Sequence, residues 1–269
     1  MTLRYGAALR ALQSLRGDPT IAAVQPTEAA VPYRAHLRGG IAPLVDIYLP
    51  ARPIGASVVL VHGGAFVIGS RRMKPMRYLA ARLVTAGIAV CAVDYRLIFR
   101  GGRLDEAVDD VSEALAFWAG RVPALGLDAR AVSMVGLSAG ASLGLLAAAR
   151  TDRLASLVCA FGLYEIGHLR GPAGLLPRLL FRTADRATWH SRSPRFAAQP
   201  ATRTLLLHGD DDGLVPVEQA RRLAAHRESL GLPTRLVIYP GAPHGFFNLP
   251  LPAADAGVRE IIDHVSRAA

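Results

Sequence analysis

Apolar positions along this 269-residue chain fall into two rhythms that alternate from residue 57 onward. The run Ser57-Val58-Val59-Leu60-Val61 is too uniformly apolar for a half-exposed strand and predicts one buried on both faces. Further strands are predicted over 88–93, 131–135, 156–161, 202–207 and 235–239. Between them, helical spacing predicts helices over 73–86, 104–120 (apolar Val108, Val111, Leu115, Trp118), 142–149 and 217–229. A last helix shows its apolar face in Val258, Ile261, Ile262 and Val265. Such alternation implies a parallel sheet covered on both sides, an α/β architecture in one domain spanning 1–269. Upstream, 3–16 predicts a short amphipathic helix, and 31–37 with 44–49 an antiparallel hairpin around Arg38-Gly39-Gly40. Residues 163–200 carry no clear period and read as an irregular insertion.

Composition narrows the function classes. Hydrophobic residues make up 51% of the chain, which excludes disorder. With no long uncharged apolar run and no secretory leader pattern at 1–16, the expectation is a cytoplasmic protein without stable membrane insertion. The net charge of +10 raises nucleic-acid binding. However, 30 of the 31 basic residues are arginines scattered without a run longer than two or interleaved aromatics, so no nucleic-acid partner is expected. Cys91 and Cys159 sit in apolar strand-like runs as small hydrophobes, so neither a disulfide nor a metal is assigned.

Chemistry concentrates at Gly136-Leu137-Ser138-Ala139-Gly140, between the strand 131–135 and the helix 142–149. Strand, Gly-x-Ser-x-Gly turn and helix together form the context of a nucleophile elbow, where glycines let main chain pass a serine held at a sharp corner. A serine hydroxyl is a poor nucleophile unless a base takes its proton, and that base needs a carboxylate to orient it. Downstream, strand 202–207 runs into His208-Gly209-Asp210-Asp211-Asp212-Gly213, and strand 235–239 into Pro240-Gly241-Ala242-Pro243-His244-Gly245. Of eight histidines, His244 has the placement of a base on a loop beyond the last strand. His208 reads as a buttress of the acid loop, His226 and His264 as solvated helix residues, and His36, His62, His168 and His190 as belonging to hairpin, glycine loop and insertion. Asp210, Asp211 and Asp212 compete for the acid, the others serving as loop and capping acids; Asp212 is our choice. The loop Gly63-Gly64-Ala65 after the first buried strand and the Ala139 N–H supply candidate oxyanion donors.

These residues together resemble the hormone-sensitive-lipase-like carboxylesterases among the α/β-hydrolases, over roughly 55–268. The motifs are His62-Gly63-Gly64-Ala65-Phe66, Asp94-Tyr95-Arg96-Leu97, the elbow, His208-Gly209 with Asp212 before Val215-Pro216, and His244-Gly245-Phe246. The resemblance implies a mostly parallel eight-stranded sheet with helices on both faces and a small cap at about 163–200. It implies the acid at Asp212, four residues beyond His208, and oxyanion donors chiefly at Gly64, Ala65 and Ala139. It implies a small-molecule ester substrate of short to medium acyl length, cleaved without a cofactor or metal, and leaves the oligomeric state open. The chain departs from the family at Ala65, where a third glycine is usual, and at Leu137, where an acid often precedes the serine. Its cap is reduced, so Leu175, Leu176, Leu179, Leu180, Phe181 and Trp189 form either an apolar lid or a packed helix face. Three other readings stay open: an amidase, formamidase or lactonase using the same triad, a ligand-binding protein that has kept the fold without turnover, and a basic membrane-surface protein using the arginine-rich lid.

Overall fold

The computed structural model describes residues 24–34, 43–169 and 174–267. The helix expected over 3–16 and the hairpin tip at 38–40 lie outside them. Eight strands form one sheet: β1 (Glu28–Pro32), β2 (Leu44–Tyr48), β3 (Ser57–Val61), β4 (Ala89–Val93), β5 (Val132–Leu137), β6 (Leu157–Ala160), β7 (Thr204–Gly209) and β8 (Thr234–Tyr239). Their spatial order is β1-β2-β4-β3-β5-β6-β7-β8. β1 and β2 pair antiparallel, β2 joins β4 antiparallel, and the remaining neighbours are parallel. This is the mostly parallel α/β architecture that the alternation predicts.

Side chains alternate across the sheet and feed two cores, since successive residues of a strand face opposite sides. Val59, Val61, Cys91, Met134, Leu157 and Leu206 belong to the first, with α2 (Leu104–Arg121), α3 (Ala139–Ala148) and α6 (Glu218–Ser229). Val58, Leu60, Val90, Val135, Val158 and Leu205 belong to the second, with α1 (Lys74–Thr85) and α7 (Pro252–Ser266). Both cysteines are free and buried, as their apolar surroundings suggest. In α2, Asp105 and Glu106 occupy the first turn and Arg121 the last, each charge complementing the helix dipole. α3 differs: it is largely apolar and nearly wholly buried, and its N-cap Ser138 makes no capping bond, so its first N–H groups have no side-chain cap.

The chain reverses direction of travel at β3, which has β4 on one side and β5 on the other. Val61 lies opposite Gly136 there, so the loops leaving β3 and β5 emerge side by side at a topological switch point.

The 163–200 insertion between β6 and β7 contains two short helices where the sequence reads as irregular: α4 (Leu175–Phe181) and α5 (Arg186–Ser191). With seven and six residues they are too short to show a period. Asp185 caps α5 by accepting the N–H groups of Ala187 and Thr188. Leu180, Phe181 and Trp189 are buried against the first core, whereas Leu175 and Leu179 stand exposed, so the apolar residues divide between packing and surface.

Two buried charged or titratable groups contradict their surface-like sequence context. Arg227, on the charge-rich α6, is fully buried, and its guanidinium donates to Thr234 Oγ1, Pro200 O, Thr202 O and Thr204 Oγ1 at 2.9–3.1 Å. It staples the end of the insertion to α6 and β8 through neutral oxygens, and burial lowers its pKa. His264, expected as a solvated helix residue, is only 7% exposed because α7 presses it against residue 203. Its Nε2 lies 3.3 Å from Arg203 O, while Arg203 Nη2 donates to His264 O at 2.8 Å. Burial first, then the nearby positive charge of Arg203, lowers its pKa to about 4.

As pH falls below about 6.5 the unfolded chain therefore takes up a proton at His264 before the folded one does. Stability is expected to decline between about pH 6.5 and 4, by on the order of 1 to 2 kcal/mol from this group. Urea denaturation at pH 7 and pH 4.5 checks this: His264→Gln should lose less stability between the two than the parent chain.

Candidate active site

The site grows from one strained residue. Ser138 has φ 51° and ψ −116°, a left-handed conformation that points its side chain away from both β5 and α3. The corner is possible because its neighbours lack side chains. A Cβ on Gly136 would lie 2.3 Å from Gly140 O, and one on Gly140 2.3 Å from Val61 O. Both clashes are with backbone, which cannot rotate away. Ser138 N donates to Ala160 O at 2.9 Å, fixing the corner to the end of β6.

Beside it runs the loop after β3. A Cβ on Gly63 would sit 3.1 Å from Ser138 Cβ, so this main chain lies directly against the serine. Gly64, Ala65 and Phe66 follow with φ of 119°, 54° and 64°. The turn closes by Val67 N and Ile68 N both donating to Gly64 O at 3.0 Å. His62 supports it from beneath: buried, stacked 4.2 Å from Tyr95, with Nδ1 2.7 Å from Gly63 O and its own carbonyl bound by Tyr95 Oη at 3.0 Å. A carbonyl only accepts, so His62 Nδ1 carries the proton. Burial lowers the His62 pKa and favours that neutral ring. Further on, Arg71 pins the loop: its N–H donates to Asp94 Oδ1 at 2.7 Å, its Nε to Asp46 Oδ1 at 2.8 Å, and its Nη1 to Asp94 Oδ2. Asp46 and Arg71 are not among the residues that the sequence motifs single out. A lone acid inside the apolar strand Leu44–Tyr48 was the available signal.

The loops after β7 and β8 complete the cluster. His244 Nε2 lies 3.0 Å from Ser138 Oγ, and His244 Nδ1 lies 2.7 Å from Asp212 Oδ2. Since a carboxylate accepts, Nδ1 holds the proton and Nε2 faces the serine with a lone pair. The three competing aspartates separate in the structure: Asp210 Oδ1 accepts Gly241 N at 2.6 Å, tying the two loops together, Asp211 is exposed, and Asp212 alone meets the imidazole. Asp212 Oδ1 receives the N–H groups of Leu214 and Val215 at 2.9 and 2.8 Å. Burial acts to raise its pKa, but hydrogen bonds from His208 and His244 outweigh it and bring the value to about 2. Phe161, itself at φ 42°, sets its ring edge-on to His244 with centroids 5.1 Å apart. That contact was not foreseen; a phenylalanine at the end of a strand carries no distinguishing signal.

Thus the structure brings together Ser138, Asp212 and His244, with Gly63, Gly64, Ala65 and Ala139 alongside. Ala139 opens α3, where an N–H has no partner within the helix. Among the described residues no cluster of three or more His, Cys, Asp or Glu side chains is grouped to hold a metal. No helix among them is long and apolar enough to cross a membrane. His36 falls outside the described residues.

Comparison with known proteins bears on the fold and on the kind of protein the chain is similar to. The BD-FAE family model matches residues 45–161. By fold, the chain superposes on brefeldin A esterase, described as a bacterial homologue of human hormone-sensitive lipase, with a TM-score of 0.73 at 19% identity, covering 83% of this chain and 72% of the other. The chain has the α/β-hydrolase fold. That likeness is one of fold. By sequence, the chain is 28% identical to the probable isoprenylcysteine alpha-carbonyl methylesterase ICME of Oryza sativa subsp. japonica, over 74% of the chain and 54% of the relative. It is also 28% identical to esterase LipC of Mycobacterium tuberculosis, over 76% and 57% respectively. The chain spans little more than half the length of these curated relatives.

Ala65 occupies a left-handed backbone position, so the missing third glycine carries strain. Ala65→Gly is expected to raise stability by about 1 kcal/mol, read as a higher denaturation midpoint with unchanged slope.

Proposed function

We propose that this protein is a serine carboxylic-ester hydrolase. One observation carries the reading: Ser138 Oγ, His244 and Asp212 form a continuous line of contacts at 3.0 and 2.7 Å, at the open N-terminus of a helix. His244 Nε2 accepts the Ser138 proton as Oγ attacks the ester carbonyl carbon. The imidazolium so formed keeps Nδ1–H on Asp212, whose charge balances it; with a pKa of about 2, that carboxylate is ionised throughout the working range. The tetrahedral oxyanion is held by backbone N–H groups of Gly64, Ala65 and Ala139, donors that are fixed before reaction and need no reorganisation. His244 then gives its proton to the departing alkoxide, leaving an acyl group on Ser138. Water, deprotonated by the same imidazole, releases the acid and restores the serine.

We infer an acyl chain of short to medium length, a reading supported by exposed apolar side chains on segments that follow the strands. Exposed apolar side chains stand on four segments that leave carboxyl ends of strands: Ile68 after β3, Phe99 after β4, Leu175 and Leu179 after β6, Leu214 after β7. That edge is where ligands gather on open α/β sheets. The esterase names of the sequence relatives support an ester as the substrate class.

Ser138→Ala is expected to lower kcat for a p-nitrophenyl acetate or butyrate ester by at least about 10³-fold, with an unchanged circular dichroism spectrum and thermal midpoint. The parent chain should bind a fluorophosphonate probe covalently at Ser138. Unaltered turnover in the variant removes the serine from the mechanism, and a probe adduct absent from the parent chain removes the nucleophile altogether. Amide and lactone substrates run beside the ester series define the acyl-transfer class.

A further inference from the structure

His208 stands out because the mechanism above does not use it, yet it touches the same carboxylate oxygen as His244. It is the penultimate residue of β7 and fully buried. Its Nε2 lies 3.1 Å from Asp212 Oδ2 and 2.9 Å from Val215 O. Both neighbours are acceptors, so Nε2 carries a hydrogen that is shared between them. Its Nδ1 is buried without any partner. A hydrogen there would be stranded away from water, so the ring stays in the neutral Nε2–H form.

Asp212 consequently has all four acceptor directions filled: two by backbone N–H groups on Oδ1, two by imidazoles on Oδ2. Oδ1 is fixed by its own loop. Oδ2, the atom that orients the base, is fixed on its far side by His208 alone. The donation to Val215 O matters too, because Val215 N is one of the Oδ1 donors; one imidazole thereby sets both ends of the carboxylate.

We infer that His208 is a positioning residue for the reaction, a neutral second imidazole that locks Asp212 in the rotation that presents Oδ2 to His244 Nδ1. The inference rests on the assignment of Ser138, His244 and Asp212 proposed above. Without the Nε2–H the carboxylate can swing about its side-chain bonds, and His244 loses a fixed direction for its lone pair. Ground-state binding of substrate, which takes place on the other side of Ser138, is left as it was.

Three variants separate this role from mere filling of the core. His208→Phe keeps the ring volume and removes the donor; His208→Asn ends its amide at the position of the lost Nδ1, short of Asp212; His208→Gln extends an amide N–H to where Nε2 stood. Each is compared with the parent chain for kcat and KM on p-nitrophenyl butyrate, for the rate of fluorophosphonate labelling of Ser138 per folded molecule, and for thermal midpoint. The expected result is a ten- to hundredfold fall in kcat and labelling rate for Phe and Asn, KM within about twofold, and substantial recovery in Gln. If Phe or Asn labels and turns over like the parent, whatever its melting temperature, the positioning role is refuted. Equal impairment of Asn and Gln refutes it also, and this pair decides the matter should Phe fail to fold. Absence of labelling in the parent chain itself would instead strike the triad assignment, so the two failures are distinct.

Discussion

Three stretches of main chain cross within one small volume at the carboxyl ends of β3 and β5, and that crowding governs the molecule's chemistry. The Gly63 main chain lies against Leu137 O, Gly136 against Gly140 O, and Gly140 against Val61 O. No side chain fits between them. With the corner closed in this way, Ser138 has nowhere to go but outward, and the first peptide of α3 is brought beside the loop that carries Gly64 and Ala65. The proposed ester hydrolysis would need a nucleophile and backbone donors within one carbonyl's reach, and close backbone packing is what sets Ser138 and that loop side by side. His244 and Asp212 arrive from β8 and β7, strands joined by parallel pairing through Gly209, opposite Tyr239. A Cβ on Gly209 would strike Ala242 O at 2.0 Å, so the acid and base loops likewise touch through main chain.

The large excess of arginine finds a structural use that the charge count alone does not convey. Arg96 grips Asp110 with Nε and Nη2, each at 2.9 Å, and Arg34 adds a contact to the same carboxylate at 2.8 Å. Arg71 spans Asp46 and Asp94, while Glu165, buried beyond β6, is bound by Arg195 and by Arg222 at 3.3 Å. A planar fork with five donors suits such multidentate roles better than an ammonium would. These bridges tie the loops at the reactive edge to the strands and helices beneath them. They are consistent with an arginine content that serves the fold, distributed as it is without a contiguous stripe.

Much of the sheet and the main part of the site was legible in the sequence because both follow local rules. Uniform apolar runs announce strands covered on both faces, and Gly-x-Ser-x-Gly between a strand and a helix announces a corner that few other sequences can turn. What stayed hidden depends on contacts remote in the chain. Arg227 lies among Arg221, Arg222 and Glu228 on a helix that looks solvated, and only the approach of residues 200–204 and Thr234 buries it. His264 is hidden in the same way by residue 203. The strain at Ala65 could not be read either, since a family preference for glycine does not reveal the sign of φ, which the structure gives as 54°. The insertion's two helices escaped because each is shorter than two turns, less than a periodic pattern needs to declare itself.

The apolar rim has a different standing from everything beneath it. Ile68, Phe99, Leu175 and Leu214 project from segments whose backbones are already fixed by hydrogen bonds and ion pairs, and their exposed side chains bury little surface in the core. Exchanging them leaves packing, corner and relay untouched. A scaffold built this way decouples its surface from its framework: exposed positions can drift in sequence while the crowded glycines beneath keep the shape of the corner.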